Sequence, residues 1–137
     1  MKLRKKDPGK TEARPSEASP EAMELRAALA EIAAEGWRFG HAVEKAAQRM
    51  DIMDAERFTR QFSYFSTRVR QALQKAELTS LDLTGARYDV GMAVQAMNLE
   101  EFEEDEELIV TRMIEPVILW NGRVMKTGVV MLGRATE

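Results

Sequence analysis

The sequence predicts an α+β fold, a helical hairpin that dimerises as a four-helix bundle, followed by a small all-β C-terminal domain. Three observations predict it. Apolar or small residues recur at alternating steps of four and three from Leu25 to Met50 and again from Phe58 to Ala76. Beyond Leu78 the period changes, and short apolar runs alternate with turn signals. Asn121-Gly122 then separates the runs VILW and RVM, and this dipeptide places two consecutive residues at positive φ, as a type I′ hairpin requires. The division expected is a disordered basic tail at 1–19, a helical dimerisation region at 20–78 and a partner-binding β domain at 79–137.

The tail holds Pro8 and Pro15 and hardly any large apolar side chain, so it buries too little surface to offset the entropy of ordering. Ser19, Pro20 and Glu21 then supply a helix start: a capping hydroxyl, a proline where the missing N–H is harmless, and an acid at the positive end of the dipole. The first seam runs through Leu25, Leu29, Ile32, Gly36, Phe39, Val43, Ala46 and Met50. Gly36 and Gly40, on or beside it, fit a close backbone approach or a kink. The seam pauses at Asp51 to Asp54, where Asp54 is placed to cap a second helix, and resumes at Phe58, Phe62, Phe65, Val69, Ala72 and Ala76. Two helices joined by a short turn form a hairpin. Stripes this apolar exceed what two helices cover alone, so a second copy is expected to pack on Leu29, Ile32, Phe39, Val43, Phe58, Phe62, Phe65 and Val69.

Leu81 and Leu83 alternate with polar residues, Gly85 breaks the chain, and MAVQAM, ELIVTRMI, VILW, RVM and VVMLGR follow as short strands. Pro116 belongs at the start or flank of a strand, since it cannot donate to a ladder.

A chain of 137 residues, 45% hydrophobic, supports one modest core or two small ones. Cysteine is absent, which removes disulfides, zinc-thiolate sites and thiol nucleophiles and suits a reducing compartment; the cytoplasm is expected. The start Lys2, Arg4, Lys5, Lys6 resembles the head of a signal peptide, but Asp7, Pro8 and Gly9 stand where an apolar stretch would be required. No window approaches the roughly 20 apolar residues of a membrane span. The net charge of −3 is uneven, with a basic first stretch and an acidic run from Glu100 to Glu107 broken only by Phe102. Asp7, Glu12 and Glu17 interleave the basic residues, so no nucleic-acid partner is expected.

No catalytic constellation stands out, and neither cofactor nor metal is expected. The single histidine, His41, has no cysteine partner and no nucleophile placed by a motif. The acidic run lacks the glycine and the Asp/Asn spacing of a calcium loop, and fits a solvated loop or a charged guard on a sheet edge. Nine methionines at helical and strand spacings read as core filler.

In order and motif, the chain resembles a GrpE-type nucleotide-exchange factor, the dimeric partner of DnaK-type chaperones. The resemblance rests on Asn121-Gly122-Arg123 between two strands, on the closing VVMLGR, and on LDLTGARYDVGMAVQAM, where Tyr88 and Asp89 take the places of an apolar residue and Asp before a polar turn. The helical hairpin fits the family's bundle helices in length and position. Several places depart from the family. A short Pro-containing segment replaces the long paired helix, His41 stands for an arginine and Gln61 for a glycine. Glu103 to Glu107 replace a Pro-Gly turn, and Glu115-Pro116-Val117 replace Lys-Gly-Tyr. A specialised member is implied.

The resemblance implies that no bond is made or broken: the protein binds the ATPase domain of a DnaK-type chaperone and promotes ADP release. It implies partner contacts at Arg123, Asn121, Trp120, Tyr88 and His41. Each has a plainer alternative. Arg123 is otherwise a solvated arginine beside a turn, Asn121 a turn residue, Trp120 a strand residue packed on its own sheet, Tyr88 likewise a packing residue, and His41 a surface or bundle residue. A second class keeps the fold and drops the activity, giving a dimeric adaptor bound to a different partner.

Overall fold

The computed structural model describes residues 19–135, so the expected disordered tail lies outside the described residues except for Ser19. Helix α1 spans Pro20–Ala47 and helix α2 spans Ile52–Lys75. Ser19 caps α1, its hydroxyl accepting from the Ala22 N–H at 3.4 Å, with Pro20 in the first turn. The second cap is Asp51, not Asp54. Asp51 has the extended backbone an N-cap needs, and its carboxylate accepts from the Asp54 N–H at 2.9 Å. Asp54 sits inside the first turn, where its charge complements the dipole.

Six strands follow: β1 Leu78–Leu81, β2 Val94–Ala96, β3 Leu108–Glu115, β4 Val117–Trp120, β5 Arg123–Lys126 and β6 Gly128–Arg134, with a short 3-10 turn at Leu99–Glu101. They form two three-stranded sheets, ordered β1-β4-β5 and β2-β6-β3. The first is antiparallel throughout. In the second, β6 is central, antiparallel to β3 and parallel to β2. The run MAVQAM contributes only Val94–Ala96, RVM continues to Lys126, and VVMLGR starts one residue earlier at Gly128. Pro116 is buried between β3 and β4, where no ladder bond is asked of it. The outer edge of β3 is partly covered, since Gly85 and Tyr88 donate to the carbonyls of Val110 and Leu108, and Ala86 accepts from Val110.

Two small cores organise these layers. One gathers Leu108, Val110, Met113, Val117, Val130 and Leu132 around the β2-β6-β3 sheet, with Trp37 of α1 packed against it. The other joins Ala30 and Ala33 of α1 to Leu78 of β1 and Ile118 of β4. So α1 faces the β module with alanines. Leu29 and Trp37 join these contacts, whereas Leu25 (67% exposed), Ile32 (56%) and Phe39 (53%) lie elsewhere on the helix. An ion pair from Arg38 to Glu115 at 2.7 Å reinforces the join, and Arg38 also pairs with Glu35. Gly40 is a place of close approach: a Cβ there would lie 3.3 Å from the Phe62 ring, whereas one at Gly36 would meet open space.

Asn98 is the buried polar side chain among the described residues. Past the end of β2, its amide donates to the Leu132 carbonyl and accepts from the Leu132 N–H, both at 3.0 Å. A side chain thereby continues the ladder that the backbone of β2 has stopped supplying.

Replacing Asn98 by Ala strands both backbone groups of Leu132 in a buried setting. The expected loss is about 2–4 kcal/mol in unfolding free energy, read by urea denaturation, and Asn98→Asp fares no better because a carboxylate cannot donate. A second prediction concerns acid. The backbone N–H of Asp54 holds the Asp51 carboxyl below the usual aspartate value. The folded pKa is therefore depressed, so this stabilisation is present above about pH 4 and lost as the pH falls through the folded value. Thermal melts at descending pH should show Asp51→Asn, which still caps, losing less stability than the parent below about pH 4.

Candidate functional site: the hairpin corner

The two-residue turn between β4 and β5 has Asn121 at φ 49° and Gly122 at φ 78°, the left-handed pair of a type I′ turn. Pairing of Trp120 with Arg123 and of Leu119 with Val124 flanks it. The Asn121 N–H donates to the Glu77 carbonyl at 2.8 Å, tying the corner to the residue that leads into β1. The corner is thus fixed by its own turn geometry and by a bond to the helix-to-sheet junction.

Trp120 is half-buried against the core of Ala30, Ala33, Leu78 and Ile118, so its packing role is present. Its ring also carries two cations. The Arg123 guanidinium carbon lies 4.5 Å from the ring centroid, and that of Arg26, from α1, lies 3.8 Å from it. Each such contact contributes about 0.5–1 kcal/mol at a partly exposed site. Two guanidinium groups, held by one indole beside a rigid turn, make a surface suited to carboxylates and carbonyl oxygens.

Asn121, Trp120 and Arg123 are therefore brought together, but Tyr88 and His41 are not part of the corner. Tyr88 packs against the other core, beside the β2-β6-β3 sheet. His41 lies fifteen residues beyond Arg26 on α1, about 22 Å along the helix. Its ring stacks on Trp37 with centroids 3.9 Å apart, and its Nδ1 lies 3.2 Å from the Trp37 carbonyl oxygen. Arg26 was missed in the sequence because it falls beside the seam. Its position becomes meaningful only through Ala30, four residues on, which packs on the β module.

The residues expected at a helical interface divide by exposure. Val43 is buried within the chain; Leu29, Phe58, Phe62 and Val69 are half-buried; Ile32, Phe39 and Phe65 are more than half exposed. The Phe39 and Phe62 rings meet edge to face at 5.5 Å, and Phe65 follows at 6.3 Å from Phe62. Beside them a groove of about 170 Å³ opens between α1, α2 and β1, lined by Gly36, Trp37, Phe62, Phe65, Val69 and Leu73 among others.

Among the described residues, no group of three His, Asp or Glu side chains is arranged to hold a metal ion. No described helix is long and apolar enough to cross a membrane. Comparison with protein-family models, with characterised proteins and with solved structures finds no match for this chain.

Proposed function

We propose that this protein is a dimeric co-chaperone of the GrpE type, which binds the ATPase domain of a DnaK-type chaperone and promotes ADP release without making or breaking a bond. The observation that carries this reading is the hairpin corner, where Arg123 and Arg26 flank Trp120 beside a tight two-residue turn. An exchange factor acts by binding the open nucleotide cleft more tightly than the closed one. Moving such an equilibrium from 1:99 to 99:1 takes about 5.5 kcal/mol of differential affinity. A rigid corner suits this task because its contact energy is not spent on ordering the loop, and two guanidinium groups engage acidic rims only when the partner presents them in the right geometry.

The dimer rests on the outward apolar residues of the helices. Ile32, Phe39 and Phe65 stand more than half exposed on the two helices, a pattern that points to a further packing partner. Two copies packed there would give a four-helix bundle with a β module at each side.

The dimeric adaptor bound to a different partner is the second reading. The placement of Tyr88 and His41 away from the corner favours it, since the contacts implied for an exchange factor do not converge on one patch.

Stopped-flow release of a fluorescent ADP analogue from a DnaK-type chaperone separates the two. The exchange factor accelerates release, and Arg123→Ala or Arg26→Ala lowers that acceleration at least tenfold with the fold intact by circular dichroism. Unchanged release kinetics with a folded protein would leave the adaptor. Independently, sedimentation equilibrium is expected to give twice the chain mass for the parent, and the chain mass for Ile32→Asp combined with Phe39→Asp.

A further inference from the structure

A second surface lies on the β module apart from the hairpin corner. The segment joining β1 to β2 and the loop joining β2 to β3 enclose a shallow groove of about 790 Å³. Its apolar lining comes from Tyr88, Val90, Leu99, Phe102 and Leu108. Val90 is 84% exposed and Leu99 42%, so large aliphatic surface faces solvent where polar residues would be expected. Five carboxylates share the lining, those of Asp89, Glu100, Glu103, Glu104 and Glu106, and no lysine or arginine does.

These acids differ in what they already do. Glu106 accepts from Arg134 at 2.6 Å and from the Glu103 N–H at 3.2 Å, and the latter bond comes first in holding its carboxyl below the usual glutamate value. Glu107, just outside the lining, pairs with Arg87 at 3.0 Å. The ion pairs with Arg134 and Arg87 fasten the acidic loop to the sheet and to the β1–β2 segment. Glu100, Glu103 and Glu104 have no ion pair among the described residues. The loop is thus anchored by part of its charge and presents the rest around an apolar floor.

That combination restricts the occupant. Nucleic acid and anionic lipid are repelled by the rim. A chelated cation lacks a ligand set, since no cluster of three acids among the described residues is arranged to hold one. A purely apolar segment would leave the carboxylates partly desolvated without partners. We infer that this groove docks a short extended basic segment of a partner protein, in which Lys or Arg side chains flank an aliphatic one. The aliphatic group covers Val90 and Leu99 between the Tyr88 and Phe102 rings, and the flanking cations meet Glu100, Glu103 and Glu104. This surface shares Tyr88 with the contacts the resemblance implies but lies apart from the hairpin corner, because Tyr88 and Phe102 pack on one core and Trp120 on the other.

The test is fluorescence anisotropy of a fluorescein-labelled peptide Lys-Arg-Leu-Lys-Leu-Arg-Lys titrated with the full chain. Saturable binding is expected, weakened at least tenfold by Val90→Asp, by Glu103→Gln combined with Glu104→Gln, and by serine in place of the peptide's leucines. Arg123→Ala should leave it unchanged, so failure here and failure of the exchange activity are read separately. Equal binding of the serine peptide together with indifference to Val90→Asp would mean diffuse charge attraction and overturn the docking surface. Absence of binding by the folded full chain would overturn it too. Should binding then appear only when Lys2, Arg4, Lys5 and Lys6 are changed to serine, the groove would belong to the chain's own basic segment and not to a partner.

Discussion

The architecture depends on one contact, the alanine face of α1 against Leu78 and Ile118. Ala30 and Ala33 are small enough for the helix to lie close to the β1-β4-β5 sheet, and Leu78 and Ile118 are buried completely in return. This contact fixes which way α1 is turned about its axis. Trp37 then reaches the core of the β2-β6-β3 sheet, Arg38 reaches Glu115, and Arg26 lies over Trp120. The same rotation leaves Leu25, Ile32 and Phe39 outside. A larger residue at Ala30 or Ala33 would push the helix off the sheet and disturb all of these at once.

The β module answers two demands with little material. Short strands leave backbone groups unpaired, and here the outer edge of β3 is met by bonds from 85–88 and the stretch of β6 beyond β2 by the side chain of Asn98. The tight Asn121-Gly122 turn needs no supporting layer, so a rigid corner can project from a small domain. The indole of Trp120 serves on both sides, packed below and bearing guanidinium groups around it. Packing on the core and contact with two guanidinium groups are therefore compatible at this residue.

The two candidate surfaces carry opposite chemistry. The corner presents Arg26 and Arg123, while the groove beside the 3-10 turn presents Glu100, Glu103 and Glu104. The net charge of −3 conceals this separation of charge between the two surfaces.

The sequence by itself determined the features that local chemistry controls. Ser19-Pro20 starts α1, Asn121-Gly122 turns the last hairpin, Pro116 separates two strands, and the change of period after Leu78 marks the passage from helix to sheet. Each follows from φ limits, a missing donor or the direction of side chains along one element. The second cap was placed three residues late because Asp51 and Asp54 offer the same chemistry, and only backbone conformation distinguishes them. Tertiary structure alone decided which face of α1 turns inward. Apolar periodicity marked one seam from Leu25 to Met50, yet the β module took Ala30 and Ala33 with Leu29 beside them and left Leu25, Ile32 and Phe39 outside, because fit to a sheet rewards small size as well as hydrophobicity. The parallel pairing of β2 with β6, the role of Asn98 and the meeting of Arg26 with Trp120 were illegible for the same reason: each joins residues at least 34 positions apart, and no local pattern records such a contact.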